Sequence, residues 1–428
     1  MKTILLASVN SYIYIHKVFF SMSKRQFLCS HETVWMGLCA ECGEPAESDD
    51  YVKAGFVSLD SGFKVKRACA MRMEAETVQS LNLEKKCVLV LDIDHTLVHV
   101  TDKDLGTTGS KVRELTDLLV AGEAVNESEI YRFSDGRSVF HMKIRPGAMS
   151  FLSNATRRFQ LYVYTHGTLE YASVVLQALD PQGSLFGQPP RLIAREGHRV
   201  EHKVLTKIFP SEHKLVLILD DRSDVWGEAD ENLVQVTPYI FFNDGDRSRI
   251  GLEGSCPAFK PLGWESDVLD RQLDVLRPIL DNLVAMTYFT AEDDEADVRP
   301  HLRALRETVL CGLKIATSGL IPMQEADPLS HPVSVLIRNL GAIAALDDDV
   351  DILVSSSLET RRSRELNARG VPVVHPWYLL HAQATLHRPD TGQFLLSALT
   401  GADLVSHWQI GTHAAVESDD DLLDDLIS

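Results

Sequence analysis

The sequence predicts an α/β protein, a parallel sheet with helices on both faces, followed by a second and smaller α/β domain. Three observations carry the prediction. Three short runs are apolar without interruption: Cys87-Val88-Leu89-Val90-Leu91, Leu161-Tyr162-Val163-Tyr164 and Leu215-Val216-Leu217-Ile218-Leu219. Continuous runs of strand length belong to strands covered on both faces, because a half-exposed strand would alternate. Each run ends on a polar residue, Asp92, Thr165 and Asp220 in turn, where open α/β sheets bind their ligands. Helical patterns lie between the runs, and Leu233 to Val236 offers a fourth strand.

The chain has 428 residues, too long for one compact core, so two or three domains are expected. Apolar content of 45% and charged content of 24% are ordinary for a globular protein. A net charge of −19 argues against direct DNA binding and favours a basic partner surface. Seven cysteines, an odd number, cannot all pair within one chain, which favours reduced thiols and a nuclear or cytosolic compartment. Residues 1–22 are apolar-leaning, but His16 and Lys17 interrupt them and no small-residue cleavage site follows. They read as a disordered or misassigned extension, not a signal peptide, and nothing else approaches the length of a membrane span. Composition then divides the chain into a Cys/His-containing region (23–85), a first globular domain (86–275), an acidic linker (276–302), a second globular domain (303–392) and an acidic tail (393–428).

The chemistry concentrates at the strand ends. Asp92 and Asp94 stand two residues apart just past the first run, so both carboxylates can face the same side. Desolvated like charges repel, and such a pair needs a cation or a shared proton. Phosphoryl transfer needs a nucleophile and a proton donor for the leaving oxygen, roles that Asp92 and Asp94 can fill. Asp220 and Asp221 close the third run and offer oxygen ligands to a hard cation such as Mg2+. Lys203 can neutralise developing phosphoryl charge, Thr165 can donate to a phosphoryl oxygen, and Arg145 can hold a substrate phosphate bidentately. Taken singly, each is as well explained by a surface, cap or ion-pair role; their order after successive buried strands favours catalysis.

This ordered set resembles the haloacid dehalogenase superfamily of phosphatases, whose signature is Asp-x-Asp-x-Thr. Leu91 to His99, Lys143 to Gly147, Tyr162 to Thr168 and Leu219 to Trp226 look like the motifs of its RNA polymerase II carboxy-terminal-domain phosphatases, in the branch associated with transcription factor IIF. The resemblance spans 86–245 and continues through Pro238-Tyr239-Ile240-Phe241-Phe242. It implies that Asp92 forms an aspartyl-phosphate and that Asp94 protonates the leaving seryl oxygen and then activates water. It also implies that Asp92, Asp220 and the backbone carbonyl of Asp94 hold magnesium, with Asp221 beside them. The implied substrate is the phosphorylated RNA polymerase II tail, in the nucleus. Extra residues within Phe186 to Arg191 depart from the family pattern near its substrate site.

Three flanking features complete the reading. Cys29, His31, Cys39 and Cys42 carry ligand types that suit tetrahedral zinc; a reduced cysteine-containing loop is the alternative. Residues 303–392 resemble a BRCT domain through Lys314 to Leu320, Leu340-Gly341-Ala342, Val371 to Val374 and Trp377. Within it Trp377 reads as a core aromatic, and Ser318, Gly319 and Arg362 as turn and surface residues. In the acidic tail Leu422 and Leu426, and Leu423 and Ile427, are each four residues apart, so a helix would gather them on one face. Too short to be helical alone, that segment suits a partner's groove, and the resemblance implies the large subunit of transcription factor IIF. Two competing readings are a catalytically inactive BRCT scaffold and a small-metabolite phosphatase. The intact acids oppose the first; the BRCT-like unit and tail oppose the second.

Overall fold

The computed structural model describes residues 29–46, 48–52, 63–103, 112–195, 202–209, 213–227, 231–242, 270–291 and 295–397. They form two compact units, one comprising the described residues up to Met73, the other running from Glu74 onward. In the first, strands β1 (Thr33–Trp35), β2 (Leu38–Cys39), β3 (Tyr51–Val52) and β4 (Phe63–Lys66) make an antiparallel sheet in the order β2-β1-β4-β3.

The second unit is built on a five-stranded parallel sheet. Its centre is β5 (Cys87–Leu91), every residue of which is buried. An insert follows, a sheet of β6 (Val98–Thr101), β7 (Val112–Glu114), β8 (Ile130–Ser134) and β9 (Val139–Ile144) in the order β6-β9-β8-β7. The chain then returns through β10 (Phe159–Thr168), β11 (Leu192–Arg195), β12 (Val216–Asp220) and β13 (Leu233–Gln235), and the central order is β11-β10-β5-β12-β13. The register sets the site. Leu91 pairs with both Val163 and Leu219, so Asp92 and Asp220 emerge side by side and Thr165 two residues beyond the pair. The predicted α/β class and the four strand runs are present; the insert went unread because its apolar residues are interleaved with polar ones, and β11 because its apolar run is only three residues long.

Residues 276–302 do not form a linker. Gln272–Thr290 is one helix, and its Leu273, Leu276, Leu280, Leu283 and Val284 are buried in the same core as the central sheet. That spacing of three and four is an amphipathic stripe, and each such side chain contributes about 2 kcal/mol on burial. A second helix, Arg299–Val309, carries Pro300 in its first turn, where a missing N–H costs nothing. The acidic charges that suggested a linker include 292–294, which lie outside the described residues.

Beyond these helices, β14 (Lys314–Ser318), β15 (Ile343–Ala345), β16 (Ile352–Ser355) and β17 (Val373–Val374) form a parallel sheet ordered β15-β14-β16-β17. Trp377 is a core residue, 2% exposed. Ser318 Oγ meets Thr360 Oγ1 at 2.7 Å, and Arg362 Nε donates to Asp348 while its other nitrogens reach the carbonyls of Thr317, Leu346 and Asp347. The chain after this sheet packs back onto the central one: Leu386 joins the core of the central sheet, and Gln272 Nε2 donates to the Ala384 carbonyl at 2.7 Å. The expected tail boundary at 393 also moves. Phe394 and Leu396 are buried, and Leu396 N donates to Val373 O at 2.9 Å. The extension 1–22 and the tail residues Leu422, Leu423, Leu426 and Ile427 lie outside the described residues. No described helix is long and apolar enough to cross a membrane.

Candidate active site

β5 delivers Asp92 into a buried cluster, and Asp92 N donates to Leu219 O at 3.0 Å, tying the nucleophile candidate to β12. Just beyond, His95 adopts a left-handed φ of +59°, which turns the chain back toward β6, and its ring Nδ1 lies 3.1 Å from the Tyr239 carbonyl. Such a backbone persists only where its surroundings enforce it.

Lys203 lies between two of the acids. Its side chain is 2% exposed, and its Nζ is 2.6 Å from Asp92 Oδ1 and 2.6 Å from Asp220 Oδ2. Trp226 Nε1 donates to the same Asp220 oxygen at 2.8 Å, and Arg222 N to the other oxygen at 2.9 Å. Thr96 Oγ1 accepts from Asp221 N at 3.2 Å and lies 3.5 Å from Asp221 Oδ1. Thr165 is buried at the end of the buried stretch of β10, where its Oγ1 accepts from Gly167 N at 2.9 Å. Tyr171, on the helix Leu169–Leu179, donates a short hydrogen bond to Asp94 Oδ1.

The electrostatics follow from crowding. Ligand atoms of Asp92, Asp220 and Asp221 all lie within 4.8 Å of one another, and all three residues are buried. Burial pushes Asp92 up to about 8; Lys203 opposes this, while Asp220 and Asp94 add to it. Burial also raises Asp94, against the Tyr171 hydrogen bond, and holds Asp221 well above the carboxylate range with help from Asp220 and Asp92. Lys203 loses solvation on burial, but Asp220 and Asp92 more than compensate and keep it charged. One ammonium therefore faces four carboxylates. They cannot all ionise in a dry pocket without more positive charge, and three clustered oxygen donors fit a hard divalent cation. Asp94, expected to offer its backbone carbonyl to the metal, keeps its carboxylate outside the three clustered side chains.

Arg145 is not placed to hold a phosphate. It is 1% exposed, and its Nε donates to Asp270 at 3.0 Å, Nη2 to Gln272 Oε1 at 2.9 Å and Nη1 to the Thr96 carbonyl at 3.2 Å. Asp270 and Gln272 fall at the end of the expected catalytic domain (86–275), where nothing in the sequence marks them as partners of Arg145. Tyr171 and Trp226 were also missed as site residues; Trp226 stands in a quoted motif, whereas nothing local marks Tyr171. In the N-terminal unit Cys29, His31, Cys39 and Cys42 do converge, with ligand atoms within 4.8 Å of one another.

Comparison with known proteins places this arrangement. Residues 87–268 match the family of NLI interacting factor-like phosphatases. RNA polymerase II C-terminal domain phosphatase-like 4 of Arabidopsis thaliana is 27% identical over 81% of this chain and 78% of its own length. An RNA polymerase II C-terminal domain phosphatase of Schizosaccharomyces pombe is 33% identical over 50% of this chain, but only 30% of its own length is covered. The solved structure of fission yeast Fcp1, an RNA polymerase II CTD phosphatase, bound to beryllium fluoride, is 24% identical, has a TM-score of 0.56 and covers 76% of this chain and 100% of that one, so the two share a fold. With the order of motifs along the sheet edge, these likenesses converge on one resemblance: residues 87–268 are similar to the NLI interacting factor-like phosphatases, and the matching relatives carry the name of RNA polymerase II C-terminal-domain phosphatases.

Proposed function

We propose that the chain is a magnesium-dependent protein-serine phosphatase that dephosphorylates the C-terminal heptad repeats of RNA polymerase II through an aspartyl-phosphate. The observation that carries this reading is the placement of Asp92 and Asp94 at one sheet edge, with Lys203 bridging Asp92 and Asp220. In the first step an Asp92 carboxylate oxygen attacks phosphorus. The bond to the seryl oxygen breaks, and Asp94 gives that oxygen its proton. The raised pKa of Asp94 suits an acid that must arrive protonated. In the second step Asp94, now a base, takes a proton from water as the water attacks phosphorus, releasing phosphate and restoring Asp92. Lys203 offsets negative charge throughout, and Thr165, whose oxygen accepts from Gly167, keeps its own proton for a phosphoryl oxygen.

Asp92, Asp220, Asp221 and the Asp94 carbonyl would hold Mg2+, which supplies further charge neutralisation on the phosphoryl oxygens when bound. The names of the relatives support the polymerase tail as substrate and a nuclear setting. The unit formed by β14 to β17 is proposed as a BRCT domain. The C-terminal leucines Leu422, Leu423, Leu426 and Ile427 are proposed to engage the large subunit of transcription factor IIF. The deciding assay is hydrolysis of singly phosphorylated heptad peptides by the wild type and Asp92→Asn. Turnover should vanish in the variant while the fold persists, and retained turnover would sink the mechanism.

A further inference from the structure

We infer that Cys29, His31, Cys39 and Cys42 form a closed structural zinc site and that the metal holds the N-terminal unit together. The first support is metric. Zinc bonds of about 2.3 Å to sulfur and about 2.05 Å to nitrogen span tetrahedral edges of about 3.8 Å between sulfurs and about 3.5 Å between sulfur and nitrogen. Cys29 Sγ and Cys39 Sγ lie 3.6 Å apart, Cys42 Sγ and His31 Nδ1 also 3.6 Å, and all four atoms lie within 4.8 Å of one another. Two opposite edges thus have the length that a zinc tetrahedron requires, and the remaining four are no longer than 4.8 Å, within reach of one central ion.

The second support is the backbone. Cys39 to Cys42 closes a tight loop in which Glu41 N donates to Cys39 Sγ at 3.4 Å, leaving that sulfur as an acceptor, and Gly43 N donates to Cys39 O at 2.9 Å. Gly43 completes the turn at φ +77°, a conformation that glycine adopts without strain. The opposite pair is anchored separately. Tyr51 Oη donates to the His31 carbonyl at 2.5 Å, and Lys66 Nζ to the Ser30 carbonyl at 2.6 Å. The residues between the ligands are therefore pinned by groups that coordinate nothing.

The third support is what the unit lacks. Its buried apolar residues, among those described, are Val34, Cys39, Val65, Cys69 and Ala70, while Met36 and Leu38 are exposed. Ordering these residues costs about 1.5 kcal/mol each, far more than five small side chains return, and a unit this small needs a staple. Three thiolates and an imidazole fill all four positions, so no open site remains for catalysis. Coordination expels the thiol protons, including the one that Cys29 donates to Glu41 Oε2.

The test uses the full chain, purified without chelator. Elemental analysis should find about one zinc per chain. Exchange with Co2+ should give the absorption of tetrahedral thiolate coordination. Cys42→Ser should lose that metal, Cys42→His should keep it, and Cys311→Ser, at an exposed cysteine elsewhere, should keep it too. Removing the metal should open residues 29–66 to proteolysis. Zinc-free protein with this region still protected, a Cys29–Cys39 disulfide, or zinc retained in both Cys39→Ser and Cys42→Ser would overturn the inference. These readouts do not involve turnover, so they stand apart from the fate of the proposed phosphatase activity.

Discussion

Replacing Arg145 separates two accounts of the same residue. As a phosphate ligand its loss would weaken substrate binding; as a structural clamp its loss would weaken the fold. The guanidinium is 1% exposed and makes charged or polar contacts to Asp270, Gln272 and the Thr96 carbonyl, with the Tyr239 ring 5.6 Å away. Arg145→Met fits the volume but strands the Asp270 carboxylate, whose side chain is only 10% exposed. Breaking a buried pair from one side costs about 3–5 kcal/mol. Against a total stability of about 5–15 kcal/mol this moves a urea midpoint by about 1–2 M. Adding Asp270→Asn removes the stranded charge, so the double variant should recover part of the loss, a coupling that a phosphate ligand would not show. The assay is urea unfolding followed by circular dichroism, beside KM for a phosphopeptide. An unchanged midpoint with a raised KM would refute the clamp and restore the phosphate role.

Other outcomes follow from the same geometry. Chelation should stop turnover and Mg2+ restore it, and Asp220→Ala should raise the magnesium requirement or abolish activity, because it removes an oxygen from the cluster and leaves Lys203 paired with Asp92 alone; full activity in metal-free buffer would contradict the site. Deleting 417–428 should weaken binding to the transcription factor IIF large subunit without changing hydrolysis of a small phosphate ester. Leu426→Ala should cost more affinity than Asp420→Ala, since a desolvated anchor outweighs a rim charge, and calorimetry on the tail peptide decides it. His375 is fully buried, its Nε2 has no partner and burial lowers its pKa to about 4. The unfolded chain takes up this proton near pH 6.5 and the folded chain only near 4, so stability should fall across that window as pH drops, by about 3 kcal/mol at most. His375→Asn, which keeps an acceptor for Trp377 N, should flatten that part of the pH profile of thermal unfolding; an unchanged profile would remove His375 as its source.

The sequence alone determined the central strands and the acids that follow them, because both are local. A fully buried strand needs several adjacent apolar residues, and its carboxyl end lies where the run stops, so Asp92 and Asp220 were legible without knowing any neighbour. The Cys/His set was legible for the same reason, since ligand types and close spacing are local properties. The partners of these groups were decided only by tertiary structure. Arg145 meets Asp270 across 125 residues, and Asp94 meets Tyr171 across 77. Such contacts depend on which helix packs where and at what rotation, information that no short stretch contains. The helix Gln272–Thr290 is the clearest instance. Its apolar stripe was written in the residues, but its neighbouring acids outweighed it until packing against the sheet fixed its place, and with it the partners of Arg145.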